Sequence, residues 1–143
     1  MHDSKIRSTI EDSIATKQRF LEECTPSLSQ LCDLAVRTLR AGGKIMFCGN
    51  GGSSCDAAHA AGELVGWFEH KDRPGYAAMA LGHQVPTLTA IGNDAGFEHV
   101  FRREVEAVGK SGDLLIGITT SGGSKNVLLA MQQAKQMGIA TAL

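Results

Sequence analysis

The strongest constraint on this chain is a change of periodicity at residues 44–65. Lys44-Ile-Met-Phe-Cys48 is a short apolar run, and Gly49-Asn-Gly-Gly-Ser-Ser54 is rich in glycine and hydroxyls. Cys55 to Val65 then carries small and apolar residues with helical spacing. An apolar strand, a glycine loop and a helix open a unit whose next strand returns parallel to the first. The pattern recurs. Leu114 to Ile118 is apolar, Thr119-Thr-Ser-Gly-Gly-Ser124 is hydroxyl-rich, and Lys125 to Met137 reads as a helix closed by Gly138. Strands alternating with helices imply a parallel sheet covered on both faces, so the expected class is a doubly wound α/β domain.

The rest of the chain fits around these two units. Ile6, Ile10, Ile14 and Leu21 lie near helical spacing and predict an amphipathic helix over 4–23. Thr25-Pro26 reads as a cap followed by proline at the first helical position. A second helix then carries Leu28, Leu31, Leu34, Ala35 and Leu39 and stops at Gly42-Gly43. The central helix is expected to reach about Phe68, Arg73-Pro-Gly to turn, and Tyr76 to Leu81 to form a buried strand. Gly82-His-Gln-Val-Pro86 interrupts, and Thr87 to Ile91 reads as a short strand or a helical turn. Gly92 to Phe97 is expected to be a loop before a helix of about Glu98–Val108. Gly109 to Asp113 turns into the strand at Leu114, and a last strand begins at Ile139. The organisation expected is one domain over 1–143, with a helical region at 1–41 and an α/β core at 42–143. The two leading helices have no place in the sheet and are expected to pack across it or against another subunit.

A chain of 143 residues can bury a core, and its net charge of −1 gives no broad cationic surface for nucleic acid. No apolar run approaches the roughly 18 residues of a membrane span, and the first residues lack the apolar centre of a signal peptide. Cys24, Cys32, Cys48 and Cys55 have no CxxC spacing, which suits reduced thiols in a cytoplasmic protein.

In doubly wound sheets, ligands bind at the carboxyl ends of strands, where both hydroxyl-rich loops belong. Glycines let backbone approach a ligand, and the first amides and positive end of a helix suit an anion such as phosphate. Two such loops could surround one phosphate or one polyhydroxylated chain. The Gly-Lys-Ser/Thr ending of a P-loop is missing from both. The dinucleotide fingerprint would need glycine at Ser54, which argues against a nicotinamide cofactor. On the central helix His59 and Glu63 are four apart and share a face. Such a pair is often an ordinary surface hydrogen bond. Here Ala57, Ala58, Ala60, Ala61 and Gly62 flank it, leaving room for a zinc ion bound by both side chains. Glu63 could alternatively act as a general base. Asp94, expected in a loop, is a further candidate. Trp67 and Phe68 read as core or interface, and His70, His83 and His99 lack ligand spacing, although His83 could line the cleft.

Cys48-Gly-Asn-Gly-Gly-Ser53, followed by Asp56, His59 and Glu63-Leu64, resembles the sugar-isomerase (SIS) domain family, and most closely its phosphoheptose isomerase branch. Arg73-Pro-Gly-Tyr76, Gly92-Asn-Asp94 with Gly96-Phe97, and Glu106-Ala-Val-Gly109 continue the likeness. Gly112-Asp113, Gly117-Ile118 and the Thr120-Ser121-Gly122 loop with Ser124 complete it. The resemblance implies a three-layer, flavodoxin- or Rossmann-like sheet of SIS type. It also implies an aldose–ketose isomerase converting sedoheptulose 7-phosphate to D-glycero-D-manno-heptose 7-phosphate through an enediol, in ADP-heptose and lipopolysaccharide core synthesis. By position, Gly51, Gly52, Ser53, Glu63, Asn93 and Asp94 would bind substrate, and Thr119, Thr120, Ser121 and Ser124 its phosphate end. His59 and Glu63 would hold one zinc per subunit, with Glu63 also the catalytic base. The family forms homotetramers with active sites between subunits.

Four positions depart from the family pattern. Thr119 stands where serine is common, Gly123 where asparagine is, Gly62 where a second glutamate is, and Ser54 where histidine occurs. The family also continues past the strand at Leu143 with a glutamine and a histidine that complete the zinc site, so a fragment of a longer protein is expected. Two other readings compete. One is a non-catalytic SIS domain binding a sugar phosphate or a replication initiator, and the other an isomerase of pentose or hexose phosphates. A binder would need neither His59 nor Glu63.

Overall fold

The computed structural model describes residues 2–143. Helix α1 (His2–Arg40) is followed by β1 (Ile45–Gly49), α2 (Gly52–Val65) and β2 (Ala78–Ala80). Next come α3 (Val85–Ala95), a 3₁₀ turn (Phe97–His99), α4 (Val100–Val108), β3 (Leu114–Ile118), α5 (Lys125–Gln136) and β4 (Ala140–Ala142). The four strands form one parallel sheet in the order β2-β1-β3-β4, with Ile45 level with both Ala78 and Leu114. This is the doubly wound α/β class expected.

The chain divides into two compact units, one ending at Leu34 and one spanning Ala35–Leu143. The first is helical, and its Ile6, Ile10, Ile14, Phe20, Leu21 and Leu28 are exposed. The second contains the sheet. All five residues of β1 are buried, as a central parallel strand requires. Met46 and Cys48 on one face pack with Val100, Phe101 and Val105 of α4 and Val127, Ala130 and Met131 of α5. Ile45 and Phe47 alternate to the other face, and α2 packs on β1 and β2 through the buried Ala57 and Ala61. Alanines there let the helix approach the sheet closely.

The starts of β1 and β3 are pinned by one carboxylate. Asp113, fully buried, accepts the Lys44 and Lys110 amides at 2.9 Å each and pairs with the Lys44 ammonium. Burial alone would push its carboxyl up. The Lys44 side chain and the two amides together hold it below the usual carboxylate range.

Several boundaries differ from expectation. The two leading helices are one, with Pro26 inside it. Thr25 donates its hydroxyl to the Leu21 carbonyl, and the helix continues through Pro26, a position that costs about 3 kcal/mol. The central helix ends at Val65, and β2 is confined to Ala78–Ala80. The Thr87–Ile91 stretch and most of the supposed Gly92–Phe97 loop form α3. Pro86 is not a breaker there, since in the first turn its missing N–H has no helical partner to lose. Gly92 lies inside this helix, at a cost of about 1 kcal/mol.

Candidate active site

The connections leaving β1 and β3 run in opposite directions across the sheet, to β2 and to β4. The crevice between the carboxyl ends of β1 and β3 is therefore the topological switch point, where open α/β sheets bind ligands. Both glycine–serine loops open onto it.

The first loop turns tightly out of β1. Gly51 has φ 56°, a conformation that side chains strain to adopt. A Cβ on Gly49 would lie 2.7 Å from the Ser53 carbonyl oxygen, so the loop closes back on the strand end only because glycine stands there. The Ser53 and Ser54 amides donate to the Asn50 and Gly51 carbonyls at 3.0 and 3.1 Å. Gly51 caps α2 without any side-chain cap.

In the second loop the Thr119 hydroxyl lies 3.0 Å from that of Ser124 and 3.4 Å from that of Ser121, which accepts the Gly123 amide at 3.2 Å. Ser124 precedes α5 yet makes no side-chain cap. Its hydroxyl faces its neighbours, so three hydroxyls cluster at the positive end of a helix. Thr120 is exposed beside them.

The two loops are joined. Asn50 Nδ2 donates to Asn126 Oδ1 at 2.9 Å, and Asn126 Nδ2 donates to Asn50 Oδ1 at 2.8 Å. Asn126 is only 4% exposed, and its Oδ1 also accepts its neighbour's amide, that of Val127, at 3.0 Å. A buried amide with both ends satisfied fixes the separation of the loops. Neither asparagine was assigned a role from the sequence. Asn50 lay inside the glycine motif. The hint at Asn126 was a residue of low helix propensity at the second position of a helix.

His59 Nε2 and Glu63 Oε1 are 3.1 Å apart on an outer face of α2, with side chains 78% and 40% exposed. Two donors this close can hold one metal ion. No group of three or more His, Cys, Asp or Glu suited to a metal occurs among the described residues. The backbone beneath Glu63 is held by Arg73, which the sequence marks as part of a turn and of the family likeness but gives no role. Its guanidinium donates to the Glu63 carbonyl and, at 2.9 Å, to that of Leu64. It also lies 4.6 Å from the centre of the Tyr76 ring. A cation on the last carbonyls of a helix opposes the negative end of its dipole.

Asn93 and Asp94 are not in a loop. They occupy the last turn of α3, where Asn93 Nδ2 donates to Asp94 Oδ1 at 2.8 Å. Asp94 faces a cavity of about 470 Å³ that His99, Arg102, Arg103 and Glu106 also line. A carboxylate at a helix C-terminus is electrostatically misplaced for stability. The turn that follows is tied to the second loop's helix by the 3.0 Å Glu98–Lys125 ion pair, whose hydrogen bond lowers the Glu98 carboxyl's pKa. Among the described residues, no hydrogen bond links Asp94, His59 or Glu63 to either loop. The structure thus assembles the two loops directly and leaves the other candidates on neighbouring elements. The buried Cys48 thiol is pushed up to about 12, by burial first and then by Glu104, and is no nucleophile.

The family model for the SIS domain matches residues 10–142. The chain belongs to the SIS domain family. Among its relatives, the phosphoheptose isomerase of Akkermansia muciniphila is 48% identical over 128 residues, covering 90% of this chain and 67% of the relative. That of Leptospira biflexa is 44% identical over 143 residues, covering 99% and 73%. A solved phosphoheptose isomerase from Francisella tularensis superposes with a TM-score of 0.95 at 37% identity, and one from Neisseria gonorrhoeae with 0.90 at 38%. In both cases this SIS domain spans 73% of the solved chain.

Proposed function

We propose that this SIS domain is an aldose–ketose isomerase that interconverts sedoheptulose 7-phosphate and D-glycero-D-manno-heptose 7-phosphate, supplying heptose for a bacterial glycan. Its relatives bear the name phosphoheptose isomerase. The observation that carries the reading is the reciprocal Asn50–Asn126 bond, which holds two anion-suited loops over one switch point. Thr119, Thr120, Ser121 and Ser124 take the phosphate, and Gly51, Gly52, Ser53, Asn93 and Asp94 take the sugar. A phosphate held at a distance orients the reacting carbons.

Isomerisation removes a proton from the carbon beside the carbonyl and returns one to its neighbour through an enediol. Glu63 is the base that moves this proton. His59 and Glu63 fit as two ligands of a zinc ion, with further ligands supplied from beyond this set. When bound, the ion would supply positive charge to stabilise the developing oxyanion. The His59–Glu63 pair also favours an enzyme over a pure sugar-phosphate binder.

The same reading includes a homotetramer with active sites between subunits, for which the exposed apolar residues of α1 are a natural contact surface. A cytoplasmic location fits four free cysteines, and no helix among the described residues is long and apolar enough to cross a membrane. The test is Glu63→Gln. Turnover should fall at least about 100-fold while affinity for the sugar phosphate stays within a few-fold. Binding lost in parallel with turnover would contradict the base role.

A further inference from the structure

The first loop is braced from the β3 side by Asn126, and a second set of contacts reaches it from the β2 side. As the chain leaves β2, Gly82 takes φ 80°, and a Cβ there would lie 2.6 Å from Phe101 Cε1 of α4. One turn along α4, Glu104 Oε2 accepts the Gly82 amide at 2.7 Å. Phe101 and Glu104 thus clamp this turn from one helix face. The next residue, His83, presents Nε2 at 3.2 Å from Ser54 Oγ in the first turn of α2. His83 and Glu104 share the lining of a cavity of about 250 Å³ with Met79, Gln84 and Thr87. Ser54 follows Ser53 directly, and its amide is already bonded to the Gly51 carbonyl.

We propose that His83 is a positioning residue for the first loop. Through Ser54 it transmits the rigid α4-clamped turn after β2 to the Gly51–Gly52–Ser53 backbone, so that the loop after the central strand is braced by both neighbouring strands. The assignment rests on the reading of that loop as a sugar-phosphate site. The bracing itself does not. A loop already in its bound conformation loses less freedom when ligand arrives, so the brace acts on binding and not on the proton transfer. Nothing in the spacing of His83 marks this role, because its partner is 29 residues away.

The experiment compares the unaltered chain with His83→Phe, His83→Gln and Ser54→Ala. Gln can place a polar atom near the position of Nε2, and Phe cannot. Amide hydrogen exchange of residues 51–55 without ligand is read first. His83→Phe and Ser54→Ala should each speed it about fivefold, the effect of one neutral hydrogen bond, with the double variant no faster than either. His83→Gln should stay near the unaltered rate. Calorimetry with sedoheptulose 7-phosphate should show the same order in Kd, and steady-state kinetics a rise in KM with kcat within twofold. Unchanged exchange in His83→Phe, a Gln variant as fast as Phe, or a loss in kcat with KM unmoved would overturn the proposal. If the unaltered chain binds no sugar phosphate while the exchange pattern holds, the ligand assignment fails and the brace stands.

Discussion

Asn50 and Asn126 donate to one another across the gap between the β1 and β3 loops, at 2.9 and 2.8 Å. They are 76 residues apart in sequence, so this bond closes a long segment of chain over a single point of the sheet. The loops it joins carry all the hydroxyls assigned to substrate. Truncating Asn126 leaves the half-buried Asn50 amide unmatched. Asn126→Ala is therefore expected to cost about 1–3 kcal/mol of stability and to weaken sugar-phosphate binding about tenfold or more. Chemical denaturation and calorimetry measure the two, and a stable variant with unchanged affinity would show that the loops do not need the tie.

Arg73 predicts a different signature. It holds the carbonyls under Glu63 and does not reach either loop. Arg73→Ala should lower kcat several-fold with little change in KM, because it shifts Glu63, the proposed base, and leaves the loop proposed to hold phosphate intact. Millimolar guanidinium should restore part of the lost rate. A change confined to KM would place its role elsewhere.

Asp113 governs the acid limb of stability. Its folded carboxyl lies below the ordinary value near 3.9, so the unfolded state binds more protons between the two and stability rises with pH there. The contribution is fully present above the unfolded pKa and is lost as pH falls through the folded one. Asp113→Asn should flatten this acid limb and, by leaving the half-buried Lys44 ammonium unpaired, cost about 3 kcal/mol at neutral pH. Denaturation midpoints from pH 2 to 7 measure it. An acid limb as steep as that of the unaltered chain would contradict the assignment.

Much of the fold was legible because its signals are local. Apolar runs at 45–48 and 114–118, each followed by glycine and serine, mark buried parallel strands and the loops after them. What misled were prolines and glycines read as breaks. Pro26 is carried within a long helix and Pro86 starts one, and at Pro86 the first-turn position costs no helical hydrogen bond. That error placed Asp94 in a loop. The parts of the site that could not be read are tertiary: Asn50 with Asn126, Arg73 with the end of α2, and His83 with Ser54 are pairings made by the crossing of elements, and no local pattern encodes them.

The central claim is turnover, and proton NMR with sedoheptulose 7-phosphate in deuterated water tests it most directly. The account predicts aldose signals that grow with time, carry solvent deuterium at the carbon that receives the proton, and fail to form when a zinc chelator is present from the start. A chain that binds the sugar phosphate and yet forms no aldose, with zinc supplied, would contradict it.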